Sequence, residues 1–297
     1  MNEQSIPKAA IWMACSIACF LTMSVAGRTA TAELDVFQVM EIRSVIGWFM
    51  LLPLVMRAGG FAAMRTRRPV QHLGRNVVHY AGQYAWLYAL GLIPLAELVS
   101  IEFTTPVWTA IFAVAFLGEK LNPGKIVAIV LGIVGVAIIV RPDGQSVEPG
   151  HLIMLAGALA FGASLVMVRS LTRTESVVRI IFWMLVIQSF IGIVPAIRAW
   201  ETPSAEVWPA LLIVAFTGTF SHYCLARALS HAEATVVSPM DFARLPLSAL
   251  LGWALYAEQI DMLTAAGAAL ILAGNLVNMR RANGRPTDQE AVQRSNS

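Results

Sequence analysis

The sequence predicts an all-α membrane protein of ten transmembrane helices arranged as two inverted five-helix repeats. Three observations lead there. Apolar residues make up 57% of the 297 and charged residues 13%, about half the charged share of a typical soluble protein, so water is not the chain's main solvent. Apolar stretches of roughly 20 residues, the length that crosses a bilayer, recur along almost the whole chain. The third is a weak, gap-free self-similarity at an offset of 139 residues, the separation of Glu102 and Asp241. At that offset Tyr84 meets Tyr223, Glu102-Phe103 meets Asp241-Phe242, Glu119 meets Glu258, and Gly135 meets Gly274.

Span 1 (9–27) follows Lys8. The small residues Ala30-Thr31-Ala32 after it resemble a signal cleavage site, but the apolar run exceeds a signal-peptide core and its loss would spoil the even number of spans. Its Cys15 and Cys19, one turn apart, and Cys224 further on suit neither a disulfide framework nor a four-ligand metal site, and read as small packing residues. Span 2 (37–56) carries Glu41 and Arg43, span 3 (74–93) the run from His79 to Trp86, and span 4 (96–117) Glu102 and Pro106. Span 5 (125–140) is the shortest, and with Ala128, Gly132 and Gly135 it offers a small-residue face for contact between the halves or in a dimer. Spans 6 (151–171) and 7 (179–198) open the second half. Span 8 (207–228) carries Ser221-His222-Tyr223, span 9 (233–256) Pro239, Asp241, Arg244 and Pro246, and span 10 (263–279) Gly267 and Gly274.

The Lys and Arg residues set the orientation. With the N-terminus inside, sixteen fall in inner loops and tails and only Arg28, Arg141 and Arg198 outside, while Arg43 and Arg244 lie within spans. That bias predicts both termini in the cytoplasm, and it accounts for the basic cluster Arg65–Arg75 without a nucleic-acid partner. Five spans per repeat is odd, so the second repeat enters the membrane inverted. The first repeat is assigned residues 1–144 and the second 145–281, with the boundary among the turn residues from Arg141 to Gly150. Residues 282–297 are polar and without apolar period, and are expected to be disordered. Inverted repeats are the usual route by which a secondary transporter gains two related conformations around a midplane site.

Charge within a span is expensive, roughly 2.5 to 3.5 kcal/mol at a helix centre, so Glu41, Arg43, Glu102, Asp241 and Arg244 should face the protein interior. Glu41, Arg43 and Glu102 share a depth, and an ion pair from Arg43 to one of the acids is the expected structural role. Asp241 and Arg244, three residues apart, share a face. Glu102 and Asp241 are expected to flank a cavity from opposite halves of the membrane, each able to hold a substrate ammonium group. His79, Gln83 and Trp86 share one face of span 3, with His222 and Tyr223 at the equivalent depth of span 8; together they form a suitable lining for a zwitterion. Pro106, Pro239 and Pro246 should kink the two spans that carry the acids and are candidate hinges.

The segment from Ala96 to Arg141, with mid-helix Pro106, Gly118-Glu119 at the helix end and a Gly-containing apolar helix closing in Arg141-Pro142, resembles the second half of an EamA domain of the drug/metabolite transporter superfamily. Residues 232–276 repeat the layout with Pro246, Glu258 and Gly274, although Ala257-Glu258 replaces Gly-Glu and the proline is shifted by one. The resemblance implies a bacterial inner-membrane carrier similar to exporters of amino acids, aromatic ones among them, and related metabolites. The stretch His79–Pro106 is also similar to members that take up S-adenosylmethionine, which leaves uptake or exchange as the alternative. The expected partners are a small-molecule substrate and the bilayer, with a monomer or homodimer as assembly and no cofactor or metal. There is no His-Glu-x-x-His, metal-diphosphate acidic cluster, Walker loop or Gly-x-Ser-x-Gly, so an intramembrane enzyme acting through Asp241 or Glu102 is disfavoured and ATP is not expected to drive transport.

Overall fold

The structure, a computed structural model, describes residues 5–118, 123–141, 148–232 and 234–283. Glu119, most of the boundary between the repeats and nearly all of the expected disordered tail lie outside the described residues. Among the described residues twelve α-helices follow one another: α1 (Ile6–Glu33), α2 (Val36–Arg57), α3 (Pro69–Leu90), α4 (Leu95–Glu102), α5 (Thr105–Leu117), α6 (Pro123–Val140), α7 (Pro149–Leu171), α8 (Val177–Arg198), α9 (Trp208–His231), α10 (Ala234–Asp241), α11 (Arg244–Tyr256) and α12 (Met262–Asn283). A short 3-10 turn (Phe61–Met64) lies between α2 and α3. Several helices start where the local chemistry favours a start. Prolines sit in the first turn of α1, α3, α5, α7 and α9, where a missing N–H removes no helical bond. Asp35 and Ser176 cap α2 and α8 by accepting from the backbone N–H of Phe37 and Arg179.

Seven segments, with α4 and α5 counted as one, are long and apolar enough to cross a membrane by length and composition. Together with α3, the α10/α11 pair and α12 they make the ten expected spans. Their outward faces are apolar, as at Ile11, Phe49, Phe116, Phe190 and Met262, which is the surface expected where the neighbouring solvent is hydrocarbon. Two differences from the expected spans matter. The third helix begins at Pro69, so Arg75, expected at its edge, lies inside it and is buried. Spans 4 and 9 are broken through rather than kinked, each into two helices.

The breaks show how far the repeat extends. Leu95–Glu102 and Thr105–Leu117 become Ala234–Asp241 and Arg244–Tyr256 when 139 is added to each bound. The same shift brings α3 onto the start of α9, α6 onto α12, and α1 and α2 onto α7 and α8 to within a few residues. Packing follows the inversion. α1 lies along α9 and α3 along α7, while α2 pairs with α8 and α6 with α12. In the last pair a Cβ on Gly135 would stand 2.6 Å from the carbonyl oxygen of Gly267, and one on Gly267 the same distance from that of Gly135. These small residues therefore serve the contact between the halves.

The symmetry is broken at one gate-like contact. α5 packs along α7, where a Cβ on Gly162 would meet Trp108 Cβ at 2.7 Å and Thr109 N at 2.9 Å. The repeat mate of Gly162 is Met23, and there α11 touches α1 only lightly. A cavity of about 440 Å³ fills the gap, lined by α1 between Leu21 and Thr29, by α9 and by Leu251. Elsewhere along α1 and α11 the Arg244 guanidinium lies 4.1 Å from the Phe20 ring centroid and that of Arg28 4.4 Å from the centroid of Tyr256. Met23 itself packs toward α9, where a Cβ on Gly218 would stand 3.3 Å from its sulfur.

α5 and α11 both end on a residue in the left-handed region, Gly118 at φ +65° and its mate Ala257 at φ +53°. A Cβ there costs roughly 1 kcal/mol relative to glycine. Ala257→Gly is expected to raise the unfolding midpoint of the purified protein by that equivalent; an unchanged or lower midpoint would show that the second terminus carries no such strain.

Candidate substrate site

The broken spans bring buried charge together at the middle of the bundle. α4 and α10 each run eight residues inward before breaking, about 12 Å at 1.5 Å per residue, which from opposite faces of a roughly 30 Å core places Glu102 and Asp241 near one level. They are bridged by a single guanidinium. Arg244 Nη1 donates to Glu102 Oε1 at 2.9 Å, and Nη2 lies 3.3 Å from Asp241 Oδ2. The other Glu102 oxygen accepts from Trp86 Nε1 at 2.7 Å. The Arg244 guanidinium is also enclosed by the rings of Phe20 and Phe103, and Phe103 meets its repeat mate Phe242 edge-on at 5.6 Å. The helix break leaves the Phe103 carbonyl without a helical partner, and Asn275 Nδ2 donates to it at 2.9 Å. The expectation that the two acids flank a cavity from opposite halves therefore gives way to one shared knot.

A second polar group surrounds α3. Arg75, His79 and Gln83 follow one another at intervals of four and so form one stripe, which spans about 12 Å along the axis. Arg43 Nη2 donates to Gln83 Oε1 at 2.8 Å. Among the described residues no carboxylate lies within ion-pair distance of Arg43, so the expected acid partner is replaced by an amide. Gln188 Nε2 lies 2.9 Å from His79 Nδ1, and Phe161 packs against the same imidazole with centroids 5.7 Å apart. His222 is solvent-accessible on α9 and within electrostatic reach of Arg43, Arg75 and His79. Glu41 points elsewhere: a Cβ on Gly192 would stand 2.8 Å from Glu41 Oε2 and 2.6 Å from the Tyr80 hydroxyl, and neither oxygen has a hydrogen-bond partner.

Of the site residues expected from sequence, His79 and Gln83 lie on this stripe with His222 of α9 within electrostatic reach of His79, while Trp86, Glu102, Asp241 and Arg244 form the knot. Tyr223 belongs to neither. It is 47% exposed and faces Trp12 edge-on at 5.8 Å while stacking on Phe220. Turning one residue around a helix by 100° separates it from His222. Pro106 is exposed in the first turn of α5, Pro239 lies inside α10, and Pro246 is in the first turn of α11. Arg75 and Gln188 were missed. Arg75 was legible as the residue one turn before His79, but it was counted with the basic loop; no pattern in the sequence singles out Gln188.

The EamA-like transporter family matches the chain twice, over residues 7–141 and 148–280. The chain belongs to this family. Relatives of this EamA-like protein include a riboflavin transporter of Rhizobium johnstonii, 31% identical over 91% of this chain and 90% of that protein. An S-adenosylmethionine uptake transporter of Rickettsia bellii is 26% identical over 89% and 91%, and a pseudopaline exporter of Pseudomonas aeruginosa 28% identical over 89% and 93%. One solved crystal structure aligns with 95% of this chain and all of its own at TM-score 0.65 and 19% identity, a likeness of fold. The expected EamA resemblance is thus correct, and the protein is a multi-pass membrane transporter of the drug/metabolite superfamily.

The knot gives a direct test. Removing the arginine leaves two interior acids without a counter-charge, a change worth about 3 kcal/mol or more in protein interiors. Arg244→Met is expected to lower the melting temperature by several degrees, and Asp241→Asn, which leaves the shorter Glu102 contact in place, by less. Equal losses would show that Glu102 is not the main partner.

Proposed function

We propose that this EamA-like protein is a secondary-active carrier that exports amino acids, aromatic ones among them, and related metabolites. Its setting is a bacterial inner membrane with both termini cytoplasmic, as the charge asymmetry supports. The two inverted halves alternate access to the polar interior between α2, α3, α8 and α9. The observation that carries this reading is that interior: Arg43 bonds Gln83 one turn from His79, His222 is within electrostatic reach of Arg43 and His79, and the Arg244 knot reaches the same α3 through Trp86. A helix bundle needs no such group for packing, and polar residues at that depth mark substrate paths in membrane proteins. Asp241, with 32% of its side chain exposed and the longer of the two contacts to Arg244, is the acid proposed to receive an ammonium group. The departure of α11 from α1, against the close contact of α5 with α7, supports halves that do not share one state.

The relatives support a second reading, uptake or exchange of another metabolite such as S-adenosylmethionine or riboflavin. Counterflow in liposomes holding only this protein separates the two. With the export reading, internal aromatic amino acids accelerate entry of the labelled amino acid. Loss of one substrate hydrogen bond in Gln83→Ala or Asp241→Asn is then expected to lower apparent affinity about tenfold. Wild-type affinity in both variants would remove these residues from the site, and counterflow of riboflavin or S-adenosylmethionine alone would select the second reading.

A further inference from the structure

Six described arginines contrast in their partners. Arg28, Arg141, Arg179 and Arg244 each close an ion pair with a carboxylate, to Glu258, Asp261, Glu175 and Glu102. Arg43 and Arg75 close none among the described residues, although Arg75 is only 7% exposed and Arg43 is half-buried. Their visible partners are neutral: Gln83 Oε1 for Arg43, and Asn76 Oδ1 for Arg75 at 2.7 Å. Arg75 Nε is buried with no partner at all. Arg75 lies one turn from His79 and two from Gln83, the partner of Arg43, on one stripe of α3, and both guanidinium groups are within electrostatic reach of His79 and His222. The nearest acid in sequence, Glu41, is two residues from Arg43 and so about 200° around α2, toward Tyr80 and Gly192. Interior charge of one sign that the described residues leave unbalanced calls for a counter-charge from elsewhere.

We propose that Arg43 and Arg75 bind the substrate through an oxyanion, a carboxylate or phosphate group, with His79 and His222 flanking it. The proposal rests on the transport reading above and sharpens it, because it makes the acidic group of the substrate the recognised feature. Guanidinium forks match the planar or tetrahedral oxygens of such groups, and their unused N–H donors are the ones that would be filled. His79 can take part as a donor: with Gln188 Nε2 donating to its Nδ1, the ring proton of the neutral imidazole sits on Nε2.

The test uses the full chain in lipid nanodiscs and four probes with one aromatic body: phenylpyruvate, phenyl phosphate, phenylalanine and phenylalaninamide. Phenylpyruvate or phenyl phosphate is expected to raise the melting temperature, the stronger of the two naming the group, while phenylalaninamide, which has no anionic group, is expected to leave it unmoved. Arg43→Met and Arg75→Met are each expected to weaken binding of the anionic probes by about tenfold or more, the loss of a charge-assisted hydrogen bond. Without ligand these variants are expected to melt no lower than wild type, since each removes an unbalanced interior charge; a lower unliganded melting point with unchanged probe affinity would make both arginines structural and overturn the proposal. Phenylalaninamide binding as well as phenylalanine would overturn it too. Liposome counterflow of riboflavin or S-adenosylmethionine without any anion binding would end this proposal and leave transport standing. Anion binding without counterflow of any amino acid would uphold the site and end the export reading.

Discussion

The fold turns on the guanidinium of Arg244. Two helices that carry acids into an apolar medium stop near the same level, and the charge they bring is held by one arginine between two aromatic rings. In water such a cluster would be worth little. In a hydrocarbon-surrounded bundle, either acid left alone would be far costlier, so the arginine obliges α4, α10 and α11 to meet. Trp86 extends the constraint to α3 and Asn275 to α12, because each supplies a donor that the broken helices leave wanting. The interruption itself is tolerated for that reason: non-helical backbone at this depth survives only where protein groups satisfy it.

On the face opposite the termini, a second arginine secures what the knot leaves free. Arg28 pairs with Glu258 and also donates from Nε to Leu90 O at 2.7 Å and from Nη2 to Ile93 O at 2.8 Å. The other Glu258 oxygen accepts from Leu95 N at 2.8 Å. One side chain thus joins the end of α1, the α3–α4 turn and the end of α11. α1 and α11 touch only lightly, and a cavity lined by α1, α9 and Leu251 lies beside them. The corresponding contact of the first repeat is close, with Gly162 of α7 against Trp108 and Thr109 of α5.

Most of the fold was legible in the sequence. Span number, order and inversion follow from apolar length, the 139-residue offset and the distribution of Lys and Arg, because each rests on a cost paid by the lone helix in lipid and not on its neighbours. Even the positions of the two breaks were foreshadowed by Pro106, Pro239 and Pro246, although a kink was expected. The site was legible only in part. His79 and Gln83 could be paired by helical spacing, whereas Tyr223 was grouped with His222 by proximity in sequence and points to another helix. The partner of Arg43 could not be read, since an amide and a carboxylate at the same depth look equally suitable until α2 and α3 are placed side by side.

From the sequence alone came ten spans, two inverted halves and the presence of charge that had to be interior. Those are properties of single helices and of a bilayer that excludes unsatisfied polar groups. Tertiary structure decided which charges share a partner: Glu102 and Asp241 converge on Arg244, while Arg43 and Arg75 hydrogen-bond neutral amides. Such pairing depends on rotation and depth of neighbouring helices to within an ångström or two, and helical periodicity does not carry that information from one helix to the next.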